Sequence, residues 1–136
     1  MKLEIQNLHK SYFLEKQEIP VLTGLNWNVE SGDLISITGP SGVGKSTLLH
    51  ILGTLDIPTQ GDVLFNGQDV FKLKPAELAR FRNQQIGFVF QFHHLLPELN
   101  ALENVHLPLM IQRKANLKQA TARSEEHTSE LQSRQY

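Results

Sequence analysis

At 136 residues the chain has room for one domain with a hydrophobic core, and its 13 Lys and Arg against 14 Asp and Glu leave a formal net charge of −1. That balance gives no sign of nucleic acid or an anionic membrane as a partner. The lack of cysteine excludes disulfides and thiolate metal sites, and neither a signal peptide's apolar core nor an apolar run near the ~20 residues of a membrane span is present, so any membrane role is expected to come through a partner.

Leu3–Leu8 reads as an alternation of apolar and polar positions, a half-buried strand. Tyr12 follows it and reads either as ordinary core or surface filler or as a π-face for a base. Glu15–Pro20 is polar and predicts a loop, after which Val21–Val29 alternates again as a second strand paired with the first. Glu30–Asp33 is a glycine-containing turn. It leads into Leu34–Thr38, short, apolar and β-branched, which predicts a strand of a buried sheet.

Gly39-Pro-Ser-Gly-Val-Gly-Lys-Ser-Thr47 then fits G-x-x-x-x-G-K-[ST], the phosphate-binding P-loop, in the strand–loop–helix context that motif requires. Gly39, Gly42 and Gly44 free the backbone to turn successive N–H groups around a phosphate, and the following helix adds its positive end. Lys45 has the reach to contact β- and γ-phosphates, and the Ser46 hydroxyl suits Mg²⁺. The helix from Ser46 is expected to break at Gly53.

Asp56–Gly61 interrupts the pattern. Asp62–Phe65 is a strand closed by Asn66-Gly67, the strongest hairpin dipeptide. Pro75 suits the first turn of a helix that continues to Arg82. Ile86–Phe90 predicts a second buried strand and delivers Gln91 at its end. Position alone leaves Gln91 open between a functional polar residue, as the C-terminal ends of parallel strands often carry, and a plain loop amide. Phe92–Leu99 is apolar yet loop-like, and is read as exposed for a partner. His93 and His94 are adjacent, so they share no helix face as a metal pair. Asn100 three before Glu103 opens another helix by a capping-box variant; Pro108 should kink or end it. Lys114–Arg123 begins a basic helix. Arg123–Tyr136 lacks apolar periodicity, as a disordered tail would, and Arg123–Ser133 resembles the in-frame translation of a common sequencing adapter. Residues 123–136 are therefore expected to be non-native and without function.

With the P-loop, Tyr12 and Gln91 in place, residues 1–122 resemble the first half of the ATP-binding subunits of ABC transporters. Gly39–Thr47 matches the Walker A motif, Tyr12 the aromatic that stacks on adenine, and Gln91 the glutamine that approaches Mg²⁺ and the attacking water and senses the membrane subunit. Gly87–Val105, which contains Phe-His-His-Leu-Leu-Pro, together with Leu48-Leu-His-Ile-Leu-Gly53, is similar to the lipoprotein-releasing branch of that family. MacB-type efflux and FtsE-like cell-division ATPases are the alternatives.

The resemblance implies an α/β fold, a P-loop NTPase core of ABC type with an N-terminal antiparallel β subdomain, incomplete at the C-terminus. It implies nucleotide contacts from Tyr12, Gly39, Ser41, Gly42, Gly44, Lys45, Ser46 and Thr47, catalytic roles for Lys45 and Gln91, and Mg²⁺ held by Ser46 and Gln91. Expected partners are ATP, integral membrane subunits docking on Phe92–Leu99, and a second nucleotide-binding subunit. The implied location is the cytoplasmic face of a bacterial inner membrane. Three family features find no match: no Ser-Gly-Gly occurs, no Asp follows Asp69, and His127 is not preceded by a strand. The chain as it stands is accordingly expected not to hydrolyse ATP. A GTPase is disfavoured because no Asn-Lys-x-Asp occurs; a docking module without turnover is the alternative of another class.

Overall fold

The computed structural model describes residues 2–92 and 94–111. His93, the basic helix expected over Lys114–Arg123 and the tail from Arg123 lie outside the described residues. The chain divides into two compact units, Met1–Arg82 and Asn83–Tyr136.

The first unit is built on a four-stranded antiparallel sheet of order β2-β1-β3-β4, with β1 Leu3–Leu14, β2 Gln17–Val29, β3 Gln60–Phe65 and β4 Gln68–Asp69. The expected hairpin at Asn66-Gly67 is present, with left-handed φ of 50° and 80°. Asn66 also ties the turn to the N-terminus. Its Oδ1 accepts from the Lys2 N–H at 2.7 Å, and its own N–H donates to the Lys2 carbonyl at 2.8 Å.

The expected alternation in β1 is broken at one point. Ile5 and Leu8 are both buried although three apart, with Gln6 and Asn7 exposed between them. A bulge at Asn7, φ 48°, returns Leu8 to the buried side, and the register shifts between Gln6↔Asp62 and His9↔Gln60. The extra residue stands opposite Gly61, φ +88°, where a Cβ would collide with the Asn7 carbonyl and lie 2.6 Å from the Gln6 carbonyl oxygen.

The loop expected over Glu15–Pro20 shrinks to Glu15 and Lys16, and Gln17–Pro20 belongs to β2. Two facts make this stable. The strand β2 is an edge, where the missing N–H of Pro20 forfeits no ladder bond, and the polar side chains of Gln17 and Glu18 face water.

Helix α1, Lys45–Leu52, buries Leu48 and Ile51, which complete a small core with Ile5, Leu8, Val63, Phe65 and Val70. It ends at Gly53 as expected, but the left-handed residue is the next one, Thr54, φ 56°. Its C-terminal carbonyls are closed by Gly53 N–H to Leu49 O (2.8 Å), Leu55 N–H to His50 O (2.8 Å) and Asp56 N–H to His50 O (3.2 Å). A 3₁₀ turn, Val70–Lys72, precedes α2, Pro75–Gln85. Phe81 of α2 meets Phe65 edge to face at 4.9 Å, and the Arg82 Nε donates to the buried Thr54 hydroxyl at 3.0 Å.

In the second unit α3 spans Ala101–Ile111. The expected capping box closes reciprocally: Glu103 N–H donates to Asn100 Oδ1 at 2.9 Å, and Asn100 N–H to Glu103 Oε2 at 2.8 Å. Asn104 adds bonds to the Leu96 N–H and to the Leu96, Leu99 and Asn100 carbonyls. The helix continues through Pro108 rather than ending there, and the Pro108 carbonyl accepts from Asn83 Nδ2 at 3.0 Å. No described helix is long and apolar enough to cross a membrane.

Two expected strands are not strands. Leu34–Thr38 and Ile86–Phe90 join no ladder, and Leu34 and Val89 are fully exposed. A strand is a hydrogen-bonded partnership, and an apolar run specifies a face to bury without supplying the neighbour. The period of two survives in Ile86–Phe90: the rings of Phe88 and Phe90 stack at 5.0 Å and 7° on one side, with Val89 on the other.

The Gly61 contact yields a stability prediction. Gly61→Ala should lower the unfolding free energy by about 2–4 kcal/mol, because collision adds to backbone strain. At Gly67 a Cβ meets nothing within 4 Å, so Gly67→Ala should cost about 1–2 kcal/mol from φ alone. Urea denaturation of both variants checks the order.

Candidate functional site

The phosphate loop runs from Gly39 to Lys45 with φ of 151°, 81° and 99° at Gly39, Gly42 and Gly44, values that side-chain-bearing residues rarely adopt. Gly44 is the hinge between loop and helix. A Cβ on it would stand 3.0 Å from Val21 Cγ1, 3.1 Å from Leu22 Cδ2 and 3.2 Å from the Val21 carbonyl oxygen, so the loop rests directly on β2. No side chain caps α1, which leaves its first N–H donors free to face an anion.

Lys45 curls over its own loop: Nζ donates to the Gly39 and Pro40 carbonyls at 2.7 Å each. An ammonium has three donors, so one remains for a phosphate oxygen. Ser41 and Ser46 are exposed and Thr47 half-buried.

Tyr12 lies on β1 in the same unit. Leu22, which touches Gly44, pairs with Lys10 across the β1–β2 ladder, and Tyr12 follows two residues on, opposite Ile19. The P-loop and the aromatic are thus brought to one region of one sheet. Tyr12 is 42% exposed, and its hydroxyl donates to Asp56 Oδ2 at 2.7 Å. Lys10 is buried beneath: its Nζ donates to Asp56 Oδ1 at 2.6 Å and to the Ile57 carbonyl at 2.8 Å, and lies 4.7 Å from the Tyr12 ring centroid. Sequence reasoning missed Lys10 and Asp56. They are 46 residues apart, Asp56 reads locally as a turn residue, and no short-range pattern joins them.

Burial pushes the Asp56 carboxyl up, but hydrogen bonds from Lys10, Tyr12 and the Ile57 N–H, with the Lys10 charge, hold it below its ordinary 3.8. Gln91 belongs to the second unit, where it is exposed directly after the Phe88–Phe90 stack. Phe92, Leu95 and Leu96 are exposed.

The donor set fits a nucleoside triphosphate: left-handed glycines, uncapped helical N–H groups, one free ammonium donor and a half-exposed aromatic. Among the described residues no cluster of three His, Asp or Glu side chains could hold a metal. A divalent ion at Ser46 would thus draw most of its ligands from the nucleotide's oxygens and water, as Mg²⁺ does at phosphate sites.

With loop, helix and sheet in this arrangement, the chain belongs to the ABC transporter family, whose sequence pattern it matches over residues 22–135. It is similar to the lipoprotein-releasing system ATP-binding protein LolD of Geobacter metallireducens, 59% identical over 109 residues that cover 80% of this chain and 48% of that protein. LolD of Myxococcus xanthus is 54% identical over 112 residues, covering 82% and 50%. Among solved structures it resembles a dimeric bacterial ABC transporter cassette, with TM-score 0.75 and 44% identity over 79% of this chain and 47% of that one. It also resembles a post-hydrolysis dimer of that cassette bound to ADP and Pi, with TM-score 0.80 and 40% identity over 88% and 54%. The fold is therefore the ABC-type P-loop fold with its antiparallel β subdomain, and the chain spans about half the length of the curated relatives it matches.

The Asp56 network predicts a pH dependence. A carboxyl whose folded value is depressed favours the folded state above its unfolded value, and that share is lost as pH falls through the folded value. Asp56→Asn should therefore be less stable than wild type at neutral pH, the gap closing as pH falls below 3.8. Urea midpoints measured from about pH 6 to 2 test this, and a gap that stays constant would assign the titration elsewhere.

Proposed function

We propose that residues 1–122 form the N-terminal part of the ATP-binding subunit of an ABC transporter that couples ATP hydrolysis to lipoprotein release from a bacterial inner membrane. The observation that carries the proposal is the P-loop resting on β2 with Lys45 folded over it. In this reading Gly39–Thr47 cradles the phosphates, Lys45 supplies charge to the β- and γ-phosphates, and Tyr12 stacks on adenine. Mg²⁺, held by Ser46 and Gln91 with nucleotide oxygens, would neutralise charge on the transferring phosphate. Gln91 would position the attacking water. Lipoprotein release follows from the likeness to LolD, and the exposed Phe92–Leu99 loop is the surface offered to the membrane subunits. A second nucleotide-binding subunit completes the site, on the cytoplasmic face of the membrane. Residues 123–136 are assigned no part.

Two experiments test it. Lys45→Ala should weaken MgATP binding by at least about tenfold, the loss of a charge-assisted contact. The 136-residue chain should release no more phosphate than that variant, since it holds no Ser-Gly-Gly and no Asp beyond Asp69. Unchanged ATP affinity in Lys45→Ala would remove the P-loop assignment. In a full-length subunit carrying this segment, Phe92→Ser with Leu95→Ser should abolish co-purification with the membrane partner while basal hydrolysis persists, because two exposed apolar contacts are lost. Wild-type recovery of the partner would rule the loop out as the docking surface.

A further inference from the structure

Lys10 and Asp56 pair at 2.6 Å beside the Tyr12 ring. We infer that Asp56 and Lys10 are positioning residues for Tyr12, which fix the plane of its ring and leave one face for a base. This rests on the reading of Tyr12 as the base-stacking aromatic.

Three observations carry it. The two carboxylate oxygens of Asp56 divide their work: Oδ2 accepts from the Tyr12 hydroxyl at 2.7 Å and Oδ1 from Lys10 at 2.6 Å. A phenol anchored at its para oxygen has the direction of its ring axis fixed, while rotation of the plane about that axis is limited by whatever stands against a face. Lys10, with two donors on Asp56 and the Ile57 carbonyl, stands 4.7 Å from the Tyr12 centroid and occupies one π-face as a cation–π partner. A base therefore has the opposite face to stack on.

Asp56 is itself fixed. Its N–H donates to the His50 carbonyl at 3.2 Å as part of the cap that ends α1, and its Oδ1 also accepts from the Ile57 N–H at 2.7 Å. The same α1 begins at Lys45 in the phosphate loop. One short helix thus carries the phosphate-binding end at its N-terminus and, at its C-terminus, the carboxylate that orients the base-binding ring.

The test is calorimetric titration of the 136-residue chain, in Mg²⁺, with ATP and separately with inorganic tripolyphosphate. Tyr12→Phe keeps the π-face and removes only the anchor; Asp56→Ala removes the acceptor. Each should weaken ATP binding by about 3- to 10-fold, because ordering the ring, at about 1 kcal/mol for a side chain, then falls on the binding step, and leave tripolyphosphate within about twofold. In the Asp56→Ala background Tyr12→Phe should have no further effect, since both remove the same bond. Tyr12→Ala should cost ATP more than about tenfold, with tripolyphosphate unchanged. If Tyr12→Ala binds ATP as wild type does, the stacking reading itself fails. If Tyr12→Ala is impaired while Tyr12→Phe and Asp56→Ala bind ATP normally, stacking stands and the positioning role is overturned. Equal losses for ATP and tripolyphosphate in Asp56→Ala would also overturn it, placing the effect on the phosphate loop or the fold.

Discussion

The missing side chain at Gly44 is the constraint from which the first unit's geometry follows. With Val21 and Leu22 of β2 between 3.0 and 3.2 Å from where a Cβ would be, inside ordinary contact distance, any other residue would force loop and sheet to shift apart locally. The positive φ of 99° at the same position turns the chain from loop into helix within one residue. Glycine is thus needed twice over, for space and for direction. Once α1 leaves Gly44 on that heading, Leu48 and Ile51 reach the core, and the end of the helix falls where Asp56 meets β1.

Charge placement is economical around that frame. Lys45 and Lys10 are both long, flexible cations, and both have most of their donors committed: Lys45 to two loop carbonyls, Lys10 to a carboxylate, a carbonyl and a ring. A side chain ordered before ligand arrives loses less entropy when it makes its contact. The two differ in exposure, and that separates their work. Lys10 is buried and paired, a structural ion pair that breaking would leave as an uncompensated charge. Lys45 is half-buried on carbonyl dipoles alone, an arrangement in which a phosphate is the stronger acceptor.

What the sequence made legible was local. The P-loop spacing, the Asn66-Gly67 turn and the Asn100–Glu103 box each lie within a few residues, and each forms where expected. Features joined across the chain were not legible. Gly61 is required by the Asn7 carbonyl of another strand, and nothing around Gly61 announces it. Asp56 takes its meaning from residues 44 and 46 positions away. The misreading of Glu15–Pro20 has a related origin: polarity and a proline argue for a loop unless the strand is known to be an edge, and edge position is a property of the sheet order.

The two apolar runs that failed as strands show the same limit from the other side. Leu34–Thr38 precedes the P-loop and Ile86–Phe90 precedes Gln91, so each leads directly into a residue set assigned to nucleotide or partner. The antiparallel sheet needs neither of them, because β1 and β3 already bury Ile5, Leu8, Val63 and Phe65 beneath α1 and the 3₁₀ turn's Val70. The runs carry the β-branched and aromatic residues of strands covered on both faces, yet Leu34 and Val89 stand fully in water. Burying the runs between parallel strands would fix the two ends of chain from which Gly39 and Gln91 project. The antiparallel sheet anchors the P-loop from its helical end through Gly44; a paired Leu34–Thr38 would anchor it from the other.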